Sequence, residues 1–277
     1  GNEYAAHSVL ASGRWAKIRV PETGVYRLTE SVIRQAGFTN INKVKIYGYG
    51  GNLQNESLYA SEIYANDDLK EVPQCVVNGN HLFFGKGPVS WSSRTSSRRT
   101  RNPYSDYGYY FITQTDEAPL TVDSTEFVSS FYPSNDFYHS IHEVDGYAWY
   151  HGGRNLYDKT PIALGDSMRV VFSNTTGDAN GNLTVNVSAG VRNTGVEVYL
   201  NGRKLGTQYI SFSTDYNSGG ESSSTYSIQS NLKNDTIVIK TIAGGPVRLD
   251  YVSMAWKSPK PAPRLSGNLP VAQYVHN

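Results

Sequence analysis

Cys75 is the one thiol of the chain, and a thiol becomes a nucleophile only beside a base or at a helix N-terminus. It sits inside the apolar run of residues 72–77, a place for a small buried hydrophobe rather than a reactive sulfur. The chain has no G-x-S-x-G elbow and no phosphate-binding glycine loop. His139, His142, Glu143, Asp145 and His151 form the densest set of metal-ligand types. On a strand, His-x-x-His would point its two imidazoles to opposite faces, and the H-E-x-x-H order is absent, so this stretch reads as a solvated loop. Asp178, Asn180 and Asn182 alternate like the start of a calcium loop. The sixth position is Leu183 and the twelfth Ala189, so the sequence reads as a plain turn. No catalytic residue, metal ligand or cofactor is assigned. Two sets of residues suit binding instead. Arg94, Arg98, Arg99 and Arg101, spaced by Ser and Thr, would hold an anionic polysaccharide or a partner's carboxylates, the bland alternative being a mobile solvated loop. Trp149, Tyr150, His151 and Arg154, flanked by Tyr147 and Tyr157, would stack on sugars or else close the edge of a core.

Such residues need a scaffold, and the composition bounds it. The 277 residues suit one or two domains. With 25 Lys+Arg against 24 Asp+Glu the formal charge is +1, so no nucleic-acid partner is expected. The chain has no apolar stretch of about 20 residues and hence no transmembrane segment. A lone cysteine excludes an intrachain disulfide framework. Gly1 reads as a cloning scar, consistent with a signal peptide already removed.

The dominant hydrophobic period is two. Leu183, Val185, Val187 and Ala189 alternate with polar residues, as in a strand with one buried face. Val196, Val198 and Leu200 repeat the pattern, and Asn201–Gly202 marks a two-residue hairpin returning through residues 203–205. Further strands read at residues 167–172, 236–241 and 247–256, with turn clusters at 175–182, 215–224 and 244–246. The first half is also mainly strand. Residues 15–20 alternate, turn at 21–24 and pair back through 25–28. One helix follows, with Thr29 as N-cap, Glu30 in the first turn and Gly37 at C′. Strands at 43–47, 74–77 and 81–84 come next, the last two joined by Asn78–Gly79, and 107–113 is an aromatic strand. The fold class is therefore mainly β. An N-terminal β-rich domain with one short helix (1–133) precedes a jelly-roll-like β-sandwich (134–257) and an extended, proline-rich linker (258–277).

Residues 12–37 (SGRWAKIRVPETGVYRLTESVIRQAG), 45–51 (KIYGYGG), 82–91 (LFFGKGPVSW), 102–113 (NPYSDYGYYFIT), 247–256 (VRLDYVSMAW) and 271–277 (VAQYVHN) carry a resemblance. In that order they resemble the N-terminal, non-catalytic region of the type IX secretion sortase and signal peptidase of Bacteroidetes, in the gingipain cysteine peptidase family. The resemblance implies that the catalytic Cys and His belong to an α/β peptidase domain following Asn277. Neither Cys75 nor any of the histidines matches that motif, so this chain alone is not expected to be an enzyme. It also implies an exported protein, in the periplasm or on the outer-membrane surface of a Gram-negative bacterium.

The favoured role is thus to support or position the downstream peptidase domain of the same polypeptide, and to dock secreted substrate proteins. The alternative is a carbohydrate-binding module or a cell-surface adhesin that takes surface polysaccharide through the aromatics at 147–157. The reading frame after Asn277 separates the two.

Overall fold

The computed structural model describes residues 13–51, 69–143, 160–212 and 219–276. The chain divides into two compact units, one of residues 1–90, 100–133 and 262–277, the other of residues 91–99 and 134–261. In chain order the elements are β1 (Ala16–Val20), β2 (Gly24–Leu28), α1 (Glu30–Gln35), β3 (Val44–Tyr47), β4 (Cys75–Val77), β5 (Asn80–Gly85), β6 (Val89–Trp91), β7 (Arg99–Arg101), β8 (Gly108–Gln114) and α2 (Ser124–Phe131). There follow β9 (His139–Glu143), β10 (Ser167–Ser173), β11 (Asn180–Ala189), β12 (Gly195–Leu200), β13 (Arg203–Tyr209), β14 (Gly220–Gln229), β15 (Asn234–Ala243), β16 (Val247–Trp256) and β17 (Gln273–Tyr274).

In the first unit, antiparallel sheets in the orders β17-β1-β8-β3 and β2-β5-β4 surround a core that includes Ile18, Ile33, Ile46, Phe83 and Ile112. Tyr110 pairs with Ile18 across β1 and β8, and its hydroxyl accepts the Lys86 N–H at 2.8 Å. Burial pushes that phenol up to about 12. Helix α1 begins as its sequence dictates, with Thr29 Oγ1 accepting the Val32 N–H at 3.3 Å. It ends at Gly37, whose φ of +84° is cheap only for glycine and whose missing Cβ leaves room for the Arg14 guanidinium. Asn78 and Gly79, at φ 51° and 79°, turn β4 into β5 with Cys75 opposite Leu82.

Three expectations for this half change. Strands β1 and β2 do not form a hairpin, because both edges of β1 are taken by β8 and β17, and β2 pairs with β5 instead. A second helix, α2, joins α1. Asp123 Oδ1 caps it from the Glu126 N–H at 2.8 Å, and Phe127 anchors it in a cluster with Val25, Cys75 and Leu82. The tail, expected to be an extended linker (258–277), folds back along its own unit at its end. Ala272 is fully buried, Arg27 N donates to the Pro270 carbonyl at 2.8 Å, and Ile18 opposes Tyr274 in β17. An apolar side chain that removes itself from water in this way holds the extended segment down.

The second unit is a β-sandwich of two antiparallel sheets, β10-β15-β12-β13 and β14-β11-β16-β9. Successive strands from β9 to β12, and again from β13 to β16, alternate between the sheets, as in a jelly roll. Val196, Val198, Ile237 and Ile239 of one sheet meet Leu183, Val185, Val187, Leu249, Val252 and Met254 of the other. Each such side chain contributes about 1.5–3 kcal/mol when fully buried. A one-residue slip of β11 would put Thr184, Asn186 and Ser188 into that core, so the register is strongly specified. Asn201 and Gly202, at φ 51° and 83°, make the expected hairpin between β12 and β13.

Here too the structure departs from the sequence reading. Both faces of β11 are buried, not one, because Thr184 on the outer face hydrogen-bonds Ser97 Oγ at 2.7 Å and Thr225 Oγ1 at 2.8 Å. Residues 220–224, expected to be turn, open strand β14, whose ladder partner β11 supplies a complete row of backbone donors and acceptors. Residues 139–143, expected to be a solvated loop, form β9 on the edge of β16, with His139 buried.

Candidate functional site

Residues 91–99 cross the sheet β14-β11-β16-β9 of the second unit as a strap tied by polar contacts. Asn182 Nδ2 donates to the Thr95 carbonyl at 3.0 Å, Asn135 Nδ2 to that of Trp91 at 3.1 Å, and Ser253 Oγ to that of Ser97. Trp91 stacks on His139 with ring centroids 3.8 Å apart. The two imidazole nitrogens face the carbonyls of Asn135 and Ser96. Burial holds this imidazole below its usual range, against the pull of those carbonyls.

The strap positions three of the four predicted arginines, in three different states. Arg99 turns inward. Its Nη2 lies 3.0 Å from Asp250 Oδ2, its Nε 3.1 Å from Glu143 Oε1, and its guanidinium 4.2 Å over the Tyr251 ring. Asp250 is only 3% exposed, so this is a largely desolvated ion triad that occupies Arg99 with the chain's own carboxylates. Arg98 is exposed, with Nη2 donating to the Ser223 carbonyl at 3.2 Å, and Arg94 is exposed with its guanidinium 5.7 Å from the Tyr138 ring centre. These two cations, on a strap fixed by buried hydrogen bonds, suit a shallow anion contact. Arg101 belongs to the first unit and pairs with Asp106 at 2.8 Å. Trp149, Tyr150, His151 and Arg154 lie outside the described residues, as do Asp145, Tyr147 and Tyr157.

The other candidates are placed plainly. Cys75 is 1% exposed, with Sγ 3.9 Å from Ser124 Oγ and apolar neighbours around it. Asp178 closes a turn, Oδ1 accepting the Asn180 N–H at 3.0 Å and Oδ2 the Ser258 hydroxyl at 3.1 Å. The Asn180 N–H, ahead of its other partners, holds that carboxyl below its ordinary value. Among the described residues no group of His, Cys, Asp and Glu could hold a metal. Sequence reasoning missed the partners of Arg99. A signal existed, since Asp250 interrupts the apolar strand VRLDYVSMAW where only a paired charge is tolerable.

No family model matches the chain, and no curated protein does. Among solved structures it is similar to the dimeric latent PorU from Porphyromonas gingivalis, with 27% identity and a TM-score of 0.69 over 97% of this chain. The chain spans 27% of the length of that PorU chain. The similarity to PorU thus runs along nearly the whole length of this chain. Weaker matches include a family 35 carbohydrate-binding module from an environmental isolate (15% identity, TM-score 0.32, 46% of this chain and 90% of that one). Another is a family 35 module from Clostridium thermocellum (16% identity, TM-score 0.30, 42% of this chain and 98% of that one). Both fall far below the level at which a ligand could be carried across.

Proposed function

We propose that this chain is the non-catalytic N-terminal region of a PorU-like, gingipain-type cysteine peptidase of type IX secretion. It supports and positions the downstream peptidase domain and docks secreted substrate proteins. The observation that carries this reading is the similarity to PorU along 97% of the chain, while that chain is nearly four times as long as the matched part. The reading is supported from inside the molecule by the way its polar residues are spent. Arg99, His139 and Asp178 hold the fold, and Cys75 is packed among apolar side chains. An exported location, in the periplasm or on the outer-membrane surface, goes with it. Among the described residues no helix is long and apolar enough to cross a membrane.

The test is a pair of proteins, the full-length polypeptide and one lacking residues 1–257. The reading expects the shortened protein to lose thermal stability and most of its peptidase activity. Equal activity and equal melting temperature in the two proteins would overturn it.

A further inference from the structure

The two sheets of the second unit part at one end to form a cleft of about 630 Å³, within the size range of small-molecule sites. The start of β11, the β12–β13 hairpin and the ends of β14 and β16 converge there, with Asn180 opposite Gln229 and Gly181 opposite Trp256. We propose that this cleft binds an acidic sugar.

Charge is the first argument. Arg203, Lys204 and Lys257 line the cleft and no carboxylate does. Arg203 is exposed and makes no ion pair among the described residues, whereas Lys204 shares its charge with Glu197 at 3.1 Å, and Lys257 lies near enough to Asp178 to act on its carboxyl. The cleft therefore keeps a net positive field, with Arg203 as its uncommitted cation. A planar guanidinium matches a carboxylate in two parallel hydrogen bonds.

Hydroxyl chemistry is the second argument. The side-chain amides of Asn180 and Gln229 line the same space and make no hydrogen bond among the described residues. An amide offers donors and an acceptor together, which is what a sugar hydroxyl needs from its surroundings. The third argument lies at the floor. Trp256 is 1% exposed, it lines the cleft, and its indole N–H has no acceptor among the described residues. Gly181 keeps the backbone close to that ring, since a Cβ there would stand 2.4 Å from the Ala255 carbonyl and 2.9 Å from Trp256 Cε3. Leu200 and Leu205 add apolar side chains to the polar ones, giving the mixed lining that sugar rings, polar at the edge and apolar on the face, require.

This proposal is independent of the peptidase-support reading, because it needs only residues of the second unit. It is tested by calorimetric titration of the full chain with digalacturonate, lactose and sodium acetate at one ionic strength. Digalacturonate is expected to bind saturably, lactose at least about tenfold more weakly, and acetate is expected not to compete. The double variant Arg203→Gln/Lys257→Gln should weaken digalacturonate at least about tenfold, and Gln229→Ala several-fold. Arg34→Gln, on helix α1 of the first unit, should leave it unchanged. All these side chains are exposed, so circular dichroism should show the variants folded. No heat with digalacturonate in the millimolar range would overturn the proposal. So would equal binding of lactose, displacement by equimolar acetate, or undiminished binding by the double variant.

Discussion

Arg99 shows how this chain spends charge. Its guanidinium pairs with Asp250 and Glu143 and covers Tyr251, so one side chain offsets the charge of two carboxylates. Arg99→Ala is expected to destabilise the second unit by about 3–5 kcal/mol in urea unfolding, because it removes the ion-pair partner of a nearly fully buried Asp250. Arg98→Ala, one residue away and exposed, should change stability by less than about 0.5 kcal/mol. A loss of under 1 kcal/mol for Arg99→Ala would mean that the triad is solvated after all. The buried imidazoles add a pH dependence with a definite sign. Burial holds both His139 and His81 below the 6.5 that they have when unfolded. Between the two values the unfolded chain carries more protons than the folded one, so stability is full above pH 6.5 and falls as the pH drops below it. Urea midpoints measured between pH 8 and 5 check this, and His139→Phe, which keeps an aromatic on Trp91, should flatten the slope. Midpoints that rise toward pH 5 would contradict it.

At the scale of elements, local chemistry and partner choice separate. Both Asn-Gly hairpins, the Thr29-capped helix and the apolar strands β10, β12, β15 and β16 were legible, because each is determined by its own residues. Strand pairing was not. Residues 15–28 read as a hairpin, yet β1 and β2 enter different sheets, a choice made by β8, β17 and β5 far along the chain. The serines of β14 and the histidines of β9 read as turn and loop because their propensity is weak, and a long ladder partner overrides it. The same limit hid the site: the Ser/Arg run at 94–101 is polar enough for a solvated loop, and only the fold reveals Asp250 and Thr184 beneath it. The tail gives a test at this scale. Truncation before Pro270 removes buried Ala272, the β17 pairing and the backbone bonds to Arg27, so it should lower the stability of the first unit and leave that of the second unchanged. Hydrogen exchange, read strand by strand, should show lost protection in β1 and β2. Full protection there would mean that the tail adds nothing to the stability of the first unit.

For the whole molecule, two β-rich units have separate cores, and in the second the Arg99, Glu143 and Asp250 triad is committed to structure. A non-catalytic region that supports a peptidase should hold that domain through an interface of about 600–1,500 Å², the usual size between domains of one chain. Such an interface is large enough to persist when the two parts are made separately. The most direct measurement is a calorimetric titration of residues 1–277 against the peptidase domain that the proposed function assigns to the same polypeptide, with peptidase activity followed in parallel. The account predicts saturable one-to-one binding and a change in the activity or melting temperature of the peptidase domain. No detectable heat, with an unaltered peptidase domain, would contradict it.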